Sequence, residues 1–219
     1  MKEKRILCYG DSNTWGYISG SNHQRYGSTE RYPKILAKLL GINFEIIEEG
    51  LNSRTLISED KRPGKEGKNG YNYLIPCLDT HDPLDLVVLM LGTNELKFAY
   101  QKTPEEIGVV LENFFITTIL NRKSQITKKT PKLLLIAPPI VNENTTYCKE
   151  NNKYLNASKK SQELNQIYEN LAHKYHCHYI SNVGLETGVD GIHLTKESHN
   201  LLANKIQKEI EEMIKNEEI

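Results

Sequence analysis

The sequence predicts an α/β protein in which a five-stranded parallel sheet carries helices on both faces. Five short apolar runs, Arg5–Tyr9, Phe44–Glu48, Asp85–Leu91, Lys132–Ala137 and Cys177–Ser181, are near-continuous rather than alternating. That is the pattern of parallel strands covered on both sides. Between them apolar residues recur at helical spacing, so strand and helix alternate from end to end. This order implies right-handed crossovers and a doubly wound sheet. With 219 residues, no internal repeat and no linker composition, residues 1–219 read as a single domain.

The first run leads into Gly10-Asp11-Ser12. The segment Arg31–Leu40 then puts Ile35, Leu36, Leu39 and Leu40 on one helical face, and Gly41 supplies the stop. Residues 51–83 are too long for a plain connection and are expected to hold local structure. Within them Tyr71, Leu74, Ile75 and Leu78 suit a short helix, against which Pro76 counts. Thr103-Pro104-Glu105-Glu106 is a capping box with proline at the first helical position, predicting a helix to about Arg122. Residues 140–156 are polar and Asn-rich and read as a surface loop. A further helix places Leu164, Ile167, Tyr168, Leu171, Ala172 and Tyr175 at helical spacing. The last begins near Thr195 and is expected to turn Leu202, Ile206, Ile210, Met213 and Ile214 inward.

Composition excludes several function classes. Twenty-eight basic residues balance 28 acidic ones, which leaves no electrostatic footprint for nucleic acid or an anionic membrane surface. The longest apolar run, Leu84–Leu91, is interrupted by Asp85 and too short to cross a bilayer. No signal-peptide pattern opens the chain. Cys8, Cys77, Cys148 and Cys177 lack any CxxC spacing and read as reduced thiols, so the expected location is cytoplasmic.

In open α/β sheets, ligands bind beyond the carboxyl ends of the strands. The residues that follow the strands are Gly10-Asp11-Ser12, Glu48-Glu49-Gly50-Leu51-Asn52-Ser53, Gly92-Thr93-Asn94-Glu95 and, before the last helix, Gly188–His193. Each alone fits a turn or a helix start as well as a site. Together they supply what acyl transfer needs. A serine hydroxyl requires a base, imidazole is the usual one, and Asp190 stands three residues from His193 to orient it. Asn94 offers a side-chain NH₂ to an oxyanion, and Gly50 and Ser12 offer backbone amides. Asn13, Trp15 and Phe98 are candidate substrate-lining residues. His173, His176 and His178 flank Cys177, but helix C-termini favour histidine without metal, so no metal and no cofactor is expected. Gly64, Gly67 and Gly70 with nearby lysines lack the P-loop pattern and read as a solvated loop.

These blocks resemble those of the SGNH hydrolases, also called the GDSL esterase/lipase family. Gly10-Asp11-Ser12 resembles the nucleophile block, Gly50 the glycine block, Gly92-Thr93-Asn94 the Gly-x-Asn block and Asp190-Gly-Ile-His193 the closing block. The stretches RILCYGDSNTWGY, FEIIEEGLNSRT, LDLVVLMLGTNELK and VDGIHLT are most similar to the arylesterase-like bacterial branch. One departure is Asn13, where the name-giving motif has Leu. The resemblance implies Ser12 as nucleophile, His193 as base, Asp190 as orienter, and an oxyanion hole of the Ser12 and Gly50 amides with the Asn94 side chain. Gly10-x-Ser12-x-Thr14 lacks the second glycine of the α/β-hydrolase elbow, which points to a flavodoxin-like strand order. The implied function is hydrolysis of small acyl or aryl esters through an acyl-serine, with acyl transfer to alcohols as a side activity. Alternatives are a carbohydrate O-acetylesterase, a thioesterase or lysophospholipase, or a non-catalytic flavodoxin-like binding module. The expected partner is a small-molecule ester, with no nucleic acid and no membrane, and a homo-oligomer is left open.

Overall fold

A computed structural model describes residues 3–219. Five parallel strands, β1 (Lys4–Gly10), β2 (Phe44–Gly50), β3 (Leu86–Met90), β4 (Lys132–Ile136) and β5 (His178–Ile180), form one sheet in the order β2-β1-β3-β4-β5. β1 lies between β2 and β3, with Gly10 in register with both Gly50 and Met90. This is the doubly wound, flavodoxin-like order, and it brings the ends of the first three strands side by side.

Strand residues alternate between two cores because successive side chains point to opposite faces. Leu7, Tyr9, Val87, Leu89, Leu133 and Leu135 face one core; Ile6, Cys8, Leu86, Val88, Leu134 and Ile136 face the other. Helices α2 (Tyr32–Leu40) and α8 (Lys196–Lys215) cover the second face. The first is covered by α3 (Gly70–Thr80), a helical stretch from Pro104 to Asn121 and α7 (Ala157–Tyr175). Cys8 lies in β1, whereas Cys177 immediately precedes β5, and all four cysteines are free.

Most expected elements form where the patterns predict them, with instructive departures. The Thr103 capping box is formed on both sides, and the helix it starts runs as α4 (Pro104–Val110), a π-helical segment (Leu111–Ile116) and α5 (Thr117–Asn121). Pro76 sits inside α3 without ending it. On α8, Leu202, Ile206, Ile210 and Met213 are buried, but Ile214 is exposed, so its inward assignment is corrected. Met213 takes the core position, and the next residue is turned away by about 100° of helix.

Residues 140–156 are not a plain surface loop. They hold the helix α6 (Thr146–Asn151) and bury Val141, Cys148 and Tyr154. The polar composition hides these anchors because they are spaced six or seven residues apart among Asn, Thr and Lys. Within the long connection after β2, Thr55 takes the Lys68 carbonyl and gives its own carbonyl to Gly70, closing 55–70 into a loop.

Candidate active site

β1 ends at Gly10, and the chain turns at once into the short helix α1 (Ser12–Trp15). Asp11 caps it by accepting a hydrogen bond from the Asn13 amide at 2.9 Å. Ser12 is thereby fixed as the first helical residue at the sheet rim, mostly buried.

The loop ahead of α8 brings the second half. His193 Nε2 lies 2.9 Å from Ser12 Oγ, and His193 Nδ1 lies 2.6 Å from Asp190 Oδ2. The other Asp190 oxygen accepts from the amides of Ile192 and His193, both at 2.9 Å. Burial works to raise the Asp190 pKa, but the hydrogen bonds and charge of His193, with the two amides, outweigh it and hold the carboxyl well below the usual range. Tyr17 stacks on the His193 ring at 4.3 Å, which fixes its plane. Ser19 Oγ accepts from the Asp190 amide at 3.0 Å, tying this loop to the segment after α1.

Asn13 forms a second tie. Its Nδ2 donates to the Ile192 carbonyl at 3.4 Å and its Oδ1 accepts from the Leu194 amide at 2.9 Å. A carboxamide can donate and accept at once, so it bridges the two halves, which the leucine of the name-giving motif could not do. Asn13 therefore positions the site rather than lining it. Trp15 and Phe98 also stand outside the cavity. Trp15 carries Arg25 on its ring at 5.0 Å, and the Phe98 side chain faces solvent. Tyr17, His23, Tyr147 and Tyr154 take the lining positions instead, around a cavity of about 270 Å³ that Ser12 and His193 share.

The oxyanion donors need one correction. Gly50 does not line the cavity. A Cβ there would fall 2.2 Å from the Trp15 nitrogen, so the glycine allows β2 to approach the α1 backbone. Asn52 and Ser53, a few residues on, do line it, and Ser53 adopts φ +67°. The amides of Ser12 and Ser53 have no hydrogen-bond partner among the described residues. Asn94 donates from Nδ2 to the Arg54 carbonyl at 3.0 Å and receives Tyr154 Oη on Oδ1 at 3.4 Å. One of its N–H groups is left over. Arg54, in turn, donates to the carbonyls of Gly10 (2.9 Å) and Glu49 and stacks on Tyr9 at 4.2 Å.

One positioning residue and one positioning segment escaped the sequence reading. Glu95, fully buried, accepts from the amides of Leu56, Ile57 and Ser58 at 2.7–3.2 Å, anchoring the segment that follows Ser53. Its place directly after Gly92-Thr93-Asn94 was the available signal. The second is the 140–156 segment. Asn142 donates its amide to the Gly191 carbonyl at 2.8 Å, and Thr145 and Cys148 donate to the Asp190 carbonyl at 3.2 and 3.3 Å. A Cβ on Gly191 would meet the Asn142 carbonyl at 2.2 Å, and its φ is +73°, so only glycine serves there.

The histidines flanking Cys177 do not converge. His178 is held between Glu209 (2.6 Å) and Glu218 (2.9 Å). Among the described residues one group has metal-ligand character, Glu49, Cys77 and His81, outside the cavity. There His81 Nε2 already bonds Glu49 at 3.0 Å, and burial pushes the Cys77 thiol up to about 12, keeping it protonated. No helix is long and apolar enough to cross a membrane.

Comparison with solved structures shows extensive likeness. An aryl esterase from M. smegmatis, solved with an inhibitor bound, is 33% identical over 95% of this chain and 99% of its own, with a TM-score of 0.88. A carbohydrate acetylesterase from Sinorhizobium meliloti is 32% identical over 96% of this chain and 100% of its own, with a TM-score of 0.89. A lipase/acylhydrolase from Enterococcus faecalis, at 18% identity and a TM-score of 0.66, shares the fold. Comparison with curated proteins finds no match. Residues 8–201 match the GDSL-like lipase/acylhydrolase family, a span that holds every residue of the serine–histidine–aspartate chain described above; the protein belongs to that family and is a carboxylic ester hydrolase.

Proposed function

We propose that the protein hydrolyses small carboxylic esters through an acyl-Ser12 intermediate. The observation that carries this is the unbroken chain Ser12 Oγ–His193–Asp190, at 2.9 and 2.6 Å. His193 takes the Ser12 proton at Nε2 while Nδ1–H stays bonded to Asp190, which stabilises the imidazolium. The Ser12 oxygen adds to the ester carbonyl, and the negative charge that develops on the carbonyl oxygen is met by the amides of Ser12 and Ser53 and by the free N–H of Asn94. His193 returns the proton to the leaving alkoxide, the C–O bond breaks and the alcohol departs. Water, deprotonated by the same imidazole, then releases the acid; an alcohol in its place would give a new ester.

A cavity of about 270 Å³ favours short acyl groups. Its hydroxyl and amide side chains also favour a second reading, release of acetate from a polyol or sugar ester, which the acetylesterase neighbour supports. The four free cysteines favour a reducing, cytoplasmic setting.

The test is covalent labelling together with one variant. An organophosphorus ester should modify Ser12 alone, and Ser12→Ala should abolish hydrolysis of 4-nitrophenyl acetate with an unchanged circular dichroism spectrum. A label on another serine, or turnover surviving in the variant, would remove Ser12 from the reaction.

A further inference from the structure

The cavity at Ser12 is strongly cationic, although the chain as a whole carries no net charge. Arg62, Lys65, Lys97 and Lys153 all line it, together with Ser12 and His193, and no Asp or Glu does among the described residues. Arg62, Lys97 and Lys153 also line a second cavity of about 510 Å³, where Glu59, Asp60 and Lys61 join them. Arg62 is neutralised there, since Asp60 takes its Nε and Nη2 at 2.8 and 2.5 Å. Lys65, Lys97 and Lys153 have no carboxylate within ion-pair distance among the described residues, although 16 such pairs form among those residues in all, Arg62–Asp60 included.

Lys97 is the decisive member. Only 7% of the residue is exposed, and its ammonium is buried without any hydrogen-bond partner. Lysine ordinarily keeps its ammonium in water, and a buried cation is costly unless it is paired. Burial pushes the Lys97 pKa down to about 8, and burial followed by repulsion from Arg62 lowers that of Lys153. Holding these cations without a paired charge is costly. They are also fixed in place: Lys97 follows the turn that carries Asn94, and the Phe98 amide donates to the Lys153 carbonyl at 2.8 Å. An anion entering beside Ser12 would supply the missing partner to several of them at once.

We propose that the ester substrate carries a second, anionic group, a carboxylate or phosphate, which is bound by Lys97 with Lys65 and Lys153 while the ester carbonyl lies at Ser12. This rests on the esterase reading above. The charge would orient the substrate and would discriminate against neutral esters of the same size.

Two matched pairs of esters test it. On the alcohol side, 3-acetoxybenzoate is compared with its neutral amide, 3-acetoxybenzamide. On the acyl side, mono-4-nitrophenyl succinate is compared with the neutral ketone 4-nitrophenyl levulinate. The anionic member of at least one pair should show a kcat/KM about 10- to 100-fold higher, as charge-assisted hydrogen bonds allow. That preference should shrink as salt rises from about 20 to about 500 mM. The pair that responds identifies the half of the substrate bearing the charge. Phospho analogues of the responding member separate phosphate from carboxylate.

Lys97→Met should cut the anionic-to-neutral ratio about tenfold or more. Because that position is buried, Lys65→Gln and Lys153→Gln, both partly exposed, provide a second reading, each lowering the ratio about two- to fivefold. Parity in both pairs, with ratios unmoved in all three variants, overturns the anionic substrate and leaves the esterase standing. Turnover of no ester at all, or turnover that survives Ser12→Ala, removes the esterase reading and this inference with it.

Discussion

Asn94→Ala separates chemistry from architecture, because the proposed oxyanion contact and the observed structural bonds use different groups of one side chain. One N–H goes to the Arg54 carbonyl at 3.0 Å, Oδ1 receives Tyr154, and the second N–H is available to an oxyanion. Losing an oxyanion donor typically lowers kcat by about 10²–10³, or about 3–4 kcal/mol on the barrier. That loss appears in kcat rather than KM, since the bond strengthens as charge develops. The architectural loss is smaller. A buried carbonyl left without its donor costs about 1–3 kcal/mol, and for a domain of this size each kcal/mol moves Tm by about 2–4 °C. The variant should therefore melt roughly 3–10 °C lower and, measured with 4-nitrophenyl acetate well below its melting temperature, turn over about 100- to 1,000-fold more slowly. Its residual rate should exceed that of Ser12→Ala, because nucleophile and base remain. A lowered Tm with kcat unchanged would refute the donor role and leave Asn94 as a brace for the Arg54 turn.

Asp190→Asn should lower kcat about 10⁴-fold with little change in KM, since the amide favours the wrong imidazole tautomer; a loss under tenfold would mean that His193 is oriented by other groups. Gly50→Ala keeps the backbone amide but drives a methyl to 2.2 Å from the Trp15 nitrogen, so Tm and kcat should fall together by about 1–3 kcal/mol in stability; an unchanged Tm would contradict the close approach of β2 and α1. His199 should make the protein acid-sensitive. Its pKa is pushed down to about 3 by burial and then by the charge of His193, so its neutral form stabilises the fold fully above about pH 6.5, and that stability is lost as pH falls toward 3. By pH 4.5 the loss is about 3 kcal/mol, and His199→Asn, which can still accept from the Tyr32 amide, should flatten the unfolding free energy between about pH 7.5 and 4.5 by that amount. Equal slopes for the two proteins would exclude His199 as the titrating group.

Strand positions were legible because parallel strands buried on both faces must be continuously apolar, and Ile6–Tyr9 and Leu86–Leu91 are buried throughout. The candidate site residues were legible for a related reason: Ser12, Asn94 and His193 lie directly beyond strand ends or before a helix, so sequence position fixes their place at the rim. Gly50 shows the limit of that logic. It is required, but for steric approach rather than as a donor, and no linear pattern tells these uses of a glycine apart. The residue of this turn that lines the cavity with an unpaired amide is Ser53, whose left-handed φ is imposed by the bonds around it. Arg54 donates to Gly10 and Glu49 on one side, and Glu95 holds the amides of residues 56–58 on the other. Those partners lie up to 44 residues away, beyond the reach of local propensity.

Substrate contacts were the least legible part, and charge explains why. A balance of 28 basic and 28 acidic residues averages over the surface, whereas recognition depends on which charges lack partners at one place. In the sequence Lys65 reads as part of a solvated loop and Lys153 as part of a polar one, and nothing singles out Lys97. The fold carries all three to the wall of the Ser12 cavity and sends the nearby Asp60 to Arg62 instead. The 140–156 segment works the same way. Its Asn and Thr residues serve as hydrogen bonds to the Asp190–Gly191 backbone, and its Tyr147 and Tyr154 become cavity wall. On the proposed mechanism the Ser12–His193–Asp190 chain would set a reaction that many relatives can share, and the loops laid over it would choose the ester. A swap of residues 140–156 for the equivalent loop of the acetylesterase neighbour should accordingly shift KM among substrates far more than kcat on any one of them, and equal scaling of both would assign the segment to holding Asp190 alone.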